Sequence, residues 1–172
     1  IEDGGFGDRA CVDLTTILDV GQGLLVGSSA NALALIHGET LESEFVPPRP
    51  FRVNAGAVHA YVLMADGTTK YLSELLAGDT VAICASEGII GEASVGRVKI
   101  ESRPFLLIRF KHEESATEGQ TFVQQAETVR LISPEGEMPS VTSIKSGDSI
   151  LIQVDSSARH IGQNVLSTVE ER

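Results

Sequence analysis

The stretch RPFRVNAGAVHAY, residues 49–61, places three polar side chains of different chemistry among apolar and small residues. They are Arg52, Asn54 and His59, and Gly56 lies between the last two. A strand or a β-bulge would aim such side chains into a pocket, where a cation beside an amide suits a carboxylate or a hydroxyl-rich ligand. The alternative is an edge strand that bends at Gly56 and leaves all three side chains in solvent.

A second set of candidate residues follows the apolar run ALALIH, where His37 and Glu39 form an H-x-E motif. Because side chains alternate along a strand, both are expected on one face. An imidazole and a carboxylate at this spacing predict either a pair of metal ligands or a base with an orienting carboxylate. A solvent-exposed strand end explains the same pattern, so both interpretations stay open at this point.

Further polar side chains lie near the end of the chain. Glu127 is part of QQAETVR, and Arg159 and His160 follow two serines in SSARHIG. On a strand only one of two adjacent side chains faces a given pocket. The P-loop, GxGxxG, HExxH, GxSxG and EF-hand patterns are all absent from the sequence, so no signature motif names the chemistry.

The elements that must position these residues are predicted to be strands. Short runs rich in Val, Ile and Leu recur, among them ACVDL, GLLVGS, TVAICA, FLLIRF and SILIQV, and turn sequences such as ADGT and KSGDS separate them. Only YLSELLAGD and the start of DLTTILDVG predict a helical turn. We therefore expect an all-β fold with little helix, formed by a single β domain over residues 1–172.

An internal repeat is visible when the sequence is compared with itself. Residues 61–83 align without a gap with residues 130–152, and Asp79 then meets Asp148. A fainter third copy covers residues 13–27. About three such β units predict a barrel-like sheet without free edges, whereas chance similarity among common turn motifs is the alternative.

Composition and charge narrow the classes of function. The chain is 42% hydrophobic and 22% charged, which allows a globular core, and its formal net charge is −11. Nucleic-acid binding by a basic face is disfavoured, because phosphate contacts need a surplus of Lys and Arg. A few arginines in a pocket still bind an anionic small molecule inside an acidic protein.

Other features bear on the compartment and on processing. Cys11 and Cys84 lie in apolar runs and predict buried free thiols in a reducing environment. No apolar run is long enough to predict a membrane span. The chain begins at Ile1 with an acidic, glycine-rich stretch, so we expect a processed or truncated product.

Several motifs together carry a family resemblance: GDRACVDL, GQGLLVGSSA, HGETLES, RPFRVNAGAVHAY, VGRVKIESRPFLLI, QQAETVRL and ARHIG occur in this order. They resemble the C-terminal half of the 3-dehydroquinate synthase II family, archaeal-type enzymes with relatives in plants and bacteria. The resemblance covers nearly the whole chain. Because the family's proteins are roughly twice this length, it also implies a missing N-terminal half or other subunits as partners.

The resemblance implies a reaction on a C7 amino sugar acid. NAD-dependent oxidative deamination of 2-amino-3,7-dideoxy-D-threo-hept-6-ulosonate is followed by ring closure to 3-dehydroquinate, in a route that feeds the shikimate pathway and aromatic amino acids. The expected location is the cytoplasm, or the plastid stroma in a photosynthetic eukaryote. Two alternatives are a non-catalytic subunit or binding module of a larger assembly, and a metal-dependent cyclase similar to aminohydroxybenzoate synthases.

This chemistry needs a base, a group that stabilises an enolate and a clamp for a carboxylate. Residue type then assigns the roles. The candidate catalytic residues are His37, Glu39, His59, Glu127 and His160, of which His37 and Glu39 are the candidate ligands of a divalent metal. The candidate substrate-binding residues are Arg52, Asn54, Lys70 and Arg159.

The chain also departs from the family's pattern just before the H-x-E motif. Where the resemblance leads us to expect an arginine, a glycine and a bulky aromatic residue, the chain has Asn31, Ala32 and Ala34. Loss of a buried, paired arginine would weaken an anion clamp by ~2–5 kcal/mol. Since no dinucleotide fingerprint is present, we expect the NAD site to lie upstream or to be of an unfamiliar type.

Overall fold

Strands form nearly all of the regular structure of this chain. The computed structural model describes residues 1–44, 46–155 and 166–171. Within these ranges the one helical element is a short 3-10 helix, Leu72–Glu74, and no helix is long and apolar enough to cross a bilayer. The strands are β1 (Glu2–Leu14), β2 (Gly23–Ser29), β3 (Ala32–His37), β4 (Arg52–Ala57), β5 (Tyr61–Leu63), β6 (Thr69–Tyr71), β7 (Thr80–Ala85), β8 (Gly88–His112), β9 (Glu118–Gln124), β10 (Ser149–Val154) and β11 (Leu166–Glu171). The prediction of an all-β fold with little helix is confirmed.

The strands form one antiparallel sheet that closes on itself. Their order is β4-β1-β8-β11-β10-β3-β2-β5-β6, and β7 pairs with both β2 and β8. The path β8-β11-β10-β3-β2-β7 therefore returns to β8 and makes a ring, as the barrel-like prediction requires. The long strand β8 organises this arrangement, because it pairs in turn with β7, β1, β9 and β11.

Two apolar clusters lie on the two faces of β2 and β3. Leu24 and Ile36 belong to the larger cluster, which also takes in Val12 of β1 and Phe110 of β8. Leu25 points the other way, into a smaller cluster on the opposite face. Both strands are buried on both faces, which explains why GLLVG and ALALI read as continuous apolar runs rather than as alternating ones.

The two predicted repeat copies contain equivalent turns. The N–H of Gly67 donates to the Met64 carbonyl at 3.0 Å, and the N–H of Gly136 donates to the Ser133 carbonyl at 3.0 Å. Both glycines have φ of +88°. That value lies in the left-handed region, where glycine carries no Cβ penalty, so one backbone geometry explains both turns.

A second turn occurs near the end of each copy. The Leu76 N–H donates to the Asp79 carboxylate at 2.9 Å, and the Lys145 N–H donates to the Asp148 carboxylate at 2.9 Å. In the fainter copy the same contact joins the N–H of Asp19 to the Gln22 side chain at 2.9 Å. The three turns thus share one local hydrogen-bond pattern, while descent from a duplication and the number of units stay predictions.

Candidate functional site

A polar face on three adjacent strands forms the centre of the candidate site. Arg9, Cys11 and Asp13 are alternate residues of β1, so their side chains lie on the face opposite the one that Ala10 and Val12 bury in the core. The register places this face beside polar residues of β4 and of β8. Although it faces away from the core, its β1 side chains are almost fully buried.

Asp13 joins the three strands through ion pairs. Its register partners are Arg52 on β4 and Arg97 on β8. Arg52 donates from Nε to Oδ1 at 2.7 Å and from Nη2 to Oδ2 at 3.1 Å, and Arg97 donates from Nε to Oδ2 at 2.6 Å. Burial alone would raise the pKa of Asp13, but these hydrogen bonds hold it below the ordinary value, so Asp13 is a carboxylate.

A second polar group lies along the same face. The Oε1 atom of Gln124 accepts hydrogen bonds from Arg9 Nη1 at 2.6 Å and from Asn54 Nδ2 at 2.8 Å. Arg9 also donates from Nη2 to Glu101 at 2.7 Å. The Nε of Arg9 and the Oδ1 of Asn54 are buried without a protein partner, which leaves one donor and one acceptor for a water or a ligand hydroxyl.

Cys11 lies between these two groups but is not suited to nucleophilic chemistry. Its register partners are Asn54 and Lys99. Burial is the main influence and raises the pKa of its thiol to about 11. Because the thiolate is the reactive form, the neutral thiol fills space in this face. Cys11 and Cys84 are both buried and free, as the apolar runs around them predict.

Glu39 connects the polar face to a narrow cleft. It forms an isolated β-bridge with Arg49, and it lines the cleft together with Gly38, Thr128 and Arg130. The apolar wall of the cleft consists of Leu41, Val46, Pro47 and Pro48. The motifs HGETLES, RPFRVNAG and QQAETVR, which lie far apart in the sequence, therefore meet here.

The surroundings of Glu39 favour its neutral form more than water does. Burial raises the pKa of its carboxyl above the ordinary value, while the charges of Arg52, Arg49 and Arg9 act in the opposite direction. A carboxyl group with a raised pKa beside a cleft has the properties of a general acid or base.

The metal pair of His37 and Glu39 stays a prediction, and one ring nitrogen of His37 is already engaged. The His37 side chain is 2% exposed, and its Nε2 accepts a hydrogen bond from the Gly21 N–H at 2.8 Å. Burial lowers the pKa of His37 to about 4, and the nearby charge of Arg130 acts in the same direction. In the described part of the chain no group of three or more His, Cys, Asp or Glu side chains could hold a metal ion.

The other sequence candidates make no described contact with the residues of this site. His59 is exposed in the turn after β4, with its Nε2 3.1 Å from Ser28 Oγ and its ring edge-on to Phe122. Glu127 is exposed in the turn after β9. Lys70 pairs with Asp79 at 3.2 Å beside a different, open pocket. Arg159 and His160 lie outside the described residues.

The segment 49–61 combines both interpretations of its sequence. Strand β4 covers only Arg52–Ala57 and pairs only with β1 within the described residues, so it is an edge strand in its hydrogen bonding. Gly56 has φ of +116°, and a Cβ at this position would collide with the Phe122 carbonyl. Asn54 is nevertheless buried and Arg52 is partly buried, so the expectation of three solvated side chains holds for His59 alone.

Sequence reasoning missed Arg9, Asp13 and Gln124 as members of the site. The signal for the first two was present, because Arg9, Cys11 and Asp13 alternate through a run that otherwise predicts a buried strand. A buried strand with charged residues at every second position indicates a polar face opposite the core. Nothing local distinguishes Gln124 from Gln125, and only the pairing of β9 with β8 decides which one faces Arg9.

Comparison with known proteins identifies what this chain is similar to. A family model described as the 3-dehydroquinate synthase II C-terminal domain matches residues 1–172. Proteins named 3-dehydroquinate synthase from Methanosphaera stadtmanae and Methanocaldococcus jannaschii are 50% and 47% identical to it, each over 100% of this chain and 47% of the relative. The one from Methanopyrus kandleri is 48% identical over 98% of this chain and 42% of the relative. The chain thus spans about half the length of the curated relatives it matches, and no solved structure matches it.

Proposed function

Since this chain belongs to the 3-dehydroquinate synthase II family as its C-terminal domain, we propose that it helps to form 3-dehydroquinate from a C7 amino sugar acid. The observation that carries the proposal is the cleft that Glu39 and Arg130 both line, with the Glu39 N–H bonded to the carbonyl of Arg52 in the polar face. Two distant parts of the sequence, residues 38–48 and 128–130, supply these walls. The buried, unpartnered atoms of the polar face, Arg9 Nε and Asn54 Oδ1, add hydrogen-bonding capacity beside the cleft.

The cleft supplies the two functions that ring closure of an anionic acid requires. Arg130 donates from Nη1 to the Met138 carbonyl at 2.7 Å, and its remaining guanidinium donors suit the substrate carboxylate. Glu39, with its raised pKa, takes a proton from the carbon next to the ketone and later returns one. Arg52, Arg49 and Arg9 stabilise the carboxylate form of Glu39 and the negative charge that develops on the enolate.

Asn54 and Gln124 have a supporting role in this proposal. The Oδ1 of Asn54 and the Nε of Arg9 are unpartnered and buried behind the cleft. A hydroxyl group accepts one hydrogen bond while it donates another, so it satisfies both atoms at once. The polyhydroxylated chain of the proposed substrate offers such groups, and water fills the same role when no substrate is bound.

The described residues do not fit a dinucleotide site. The pyrophosphate of NAD is ordinarily held at the N-terminus of a helix after a glycine-rich turn. The sequence has no such turn, and the one helical element of the described residues has three residues. We therefore assign no step to NAD in this domain and expect its site in the remaining part of the protein.

A divalent metal also fits poorly beside His37 and Glu39. The Nε2 of His37 is engaged by the Gly21 N–H while its Nδ1 is buried without a protein partner, and the charges that act most on Glu39 come from arginines. A cation would have to enter a region that is already positive, which disfavours it electrostatically. The metal-dependent cyclase is accordingly the less favoured function.

The proposal is tested with the natural polypeptide that contains this chain. We expect 3-dehydroquinate to form from the C7 amino acid in the presence of NAD, and Glu39→Gln to lower kcat by about 10²–10⁴. Glu42→Gln is the matched control, because Glu42 is exposed in the same loop. Folding of each variant is checked by circular dichroism.

Three results would contradict the proposal. If the unaltered polypeptide forms no 3-dehydroquinate from the C7 amino acid in the presence of NAD, the proposed function is wrong. If Glu39→Gln raises KM while kcat stays constant, Glu39 binds substrate and does not transfer a proton. A pH profile of kcat whose Glu39-dependent limb lies at an ordinary carboxyl value contradicts the acid–base role in the same way.

A further inference from the structure

Strand β8 has an open edge in the middle of its length. On one side it pairs with β1 from Val95 to Leu107. On the other side β7 pairs with residues 88–94 and β9 pairs with residues 105–111. Between these two, from Gly96 to Arg103, the described residues place no strand beside β8.

The hydrogen bonds show that β7 and β1 lie on opposite sides. The Ser94 carbonyl accepts from the N–H of Thr15, which follows β1, at 2.9 Å. The next residue, Val95, exchanges hydrogen bonds of 2.8 Å with Gly78 and Asp79 just before β7. Since the backbone groups of successive strand residues point to opposite sides, the edge that follows Val95 continues on the β7 side.

This edge exposes an apolar side chain on the face opposite its charged residues. Ile100 is 50% exposed, and Phe6, on the same face of the neighbouring strand β1, is 80% exposed. Proteins ordinarily cover or charge such edges, since unpaired N–H and C=O groups attract another strand. Lys99 and Arg103 add charge, but Ile100 has no such protective role.

The edge is directly connected to the candidate site. Arg97 pairs with Asp13, and Glu101 pairs with Arg9, so two side chains of the edge belong to the buried polar face. A polypeptide bound along this edge is separated from β4 by β8 and β1, and it reaches the polar face through Arg97 and Glu101. The described residues of this domain do not fit a dinucleotide. A second domain docked at this edge would therefore supply the NAD site.

We propose that the half of the protein that precedes this domain in the relatives docks on the β8 edge from Gly96 to Arg103 and adds a strand there. This inference rests on the proposed function, since it places the nucleotide-binding part next to the polar face. The size of the missing partner supports it, because the matched relatives have more than half of their length outside the region that this chain covers. Strand addition supplies main-chain hydrogen bonds to the open edge, and Ile100 and Phe6 supply an apolar contact.

The test is photo-crosslinking in the natural polypeptide that contains this chain. A benzoylphenylalanine replaces Ile100 in one variant and Ile90 in a matched control, which is a similarly exposed isoleucine on the part of β8 that already pairs with β7. We expect crosslinks from position 100 to peptides that precede Ile1, and far fewer from position 90. Every backbone amide of residues 96–103 should exchange about tenfold or more slowly than an amide on an unpaired strand edge.

The outcomes are distinct. Crosslinks from position 100 only to a second copy of this domain overturn the proposal in favour of a homodimer edge. Equal crosslinking from both positions, or fast exchange of every second amide in residues 96–103, also overturns it. If the crosslinks form but no 3-dehydroquinate is made, the docking proposal is supported and the proposed function is wrong. If 3-dehydroquinate forms without these crosslinks, the proposed function is supported and the docking proposal is wrong.

Discussion

Asp13 and Arg52 lie opposite each other in the β1–β4 ladder, and two hydrogen bonds join the carboxylate to the guanidinium. The two residues are 39 positions apart in the sequence. Their pairing holds the edge strand β4, with the most specific motif of the chain, against the strand that contributes Arg9. The polar face therefore depends on this contact for its alignment as well as for its charge balance.

Replacement of Asp13 by Asn removes the charge while it keeps the size of the side chain. Because Arg52 is then left mostly buried without its carboxylate, we expect the free energy of unfolding at neutral pH to fall by about 3 kcal/mol. Urea unfolding followed by circular dichroism measures it. Asp8→Asn, at an exposed position of the same strand, is the control and should change little.

The same pair has a consequence at low pH. Hydrogen bonds from Arg52 and Arg97 lower the pKa of Asp13 in the folded protein. The contribution of the Asp13 carboxylate to stability is therefore present above its unfolded pKa of 3.8, and it is lost as the pH falls through the lower folded pKa. The acid-induced loss of stability should therefore be smaller in Asp13→Asn than in the unaltered protein. An identical acid profile for both would contradict this account of Asp13.

His37 should make stability depend on pH in a different range. Its folded pKa is lowered to about 4 from 6.5, because the buried imidazole resists protonation. The contribution of the neutral His37 to the free energy of unfolding is complete above pH 6.5. It is lost as the pH falls from 6.5 toward 4, by at most about 3 kcal/mol. His37→Asn keeps an acceptor for the Gly21 N–H and should flatten the profile in this range.

Gln124 should matter far more than its neighbour. Gln124→Ala leaves the Arg9 and Asn54 donors without their shared acceptor, so we expect a loss of about 1–3 kcal/mol in the free energy of unfolding. Gln125 is exposed, and Gln125→Ala should change stability by no more than about 0.5 kcal/mol. Equal effects of the two substitutions in thermal or urea unfolding would rule out the shared-acceptor arrangement.

Gly56 tests the close approach of β4 to β9. Gly56→Ala must keep φ of +116° and must also move the Phe122 carbonyl, so we expect a loss of at least about 2–3 kcal/mol. At Gly91 no heavy atom lies within 4 Å of the added Cβ, and φ is not positive. Gly91→Ala is therefore the control, and a Gly56→Ala protein as stable as this control would show that the two strands do not approach so closely.

The equivalent turns of the repeat should respond equally to substitution. Gly78 and Gly147 have φ of +97° and +98°, and an added Cβ meets nothing within 4 Å at either position. Alanine at each position then carries only the left-handed penalty, about 1–2 kcal/mol. Denaturant unfolding should show the same loss in the free energy of unfolding for both single variants, within error. If only one of the two alanine substitutions lowers stability, the two turns are not equivalent.

Local pattern was sufficient to find part of the site. Arg52, Asn54 and Glu39 interrupt apolar strands, and the structure brings these three side chains to one region. Lys70 was an equally plausible cation by residue type, yet β6 lies at the far end of the sheet order from β4. Strand pairing, which no short pattern encodes, decides between such candidates.

The sequence by itself determined the strand-rich fold and the glycine turns, because strand propensity, glycine conformation and side-chain caps are local interactions between residues a few positions apart. Only the tertiary structure decided which polar side chains meet. Arg9 and Gln124 are 115 positions apart, and they touch because β9, which pairs with β8, also approaches β4 at Gly56 and Phe122. The register between distant strands depends on how the whole apolar core packs. The residues of a site that spans the β4–β1, β1–β8 and β8–β9 pairings can therefore be identified only from the folded sheet.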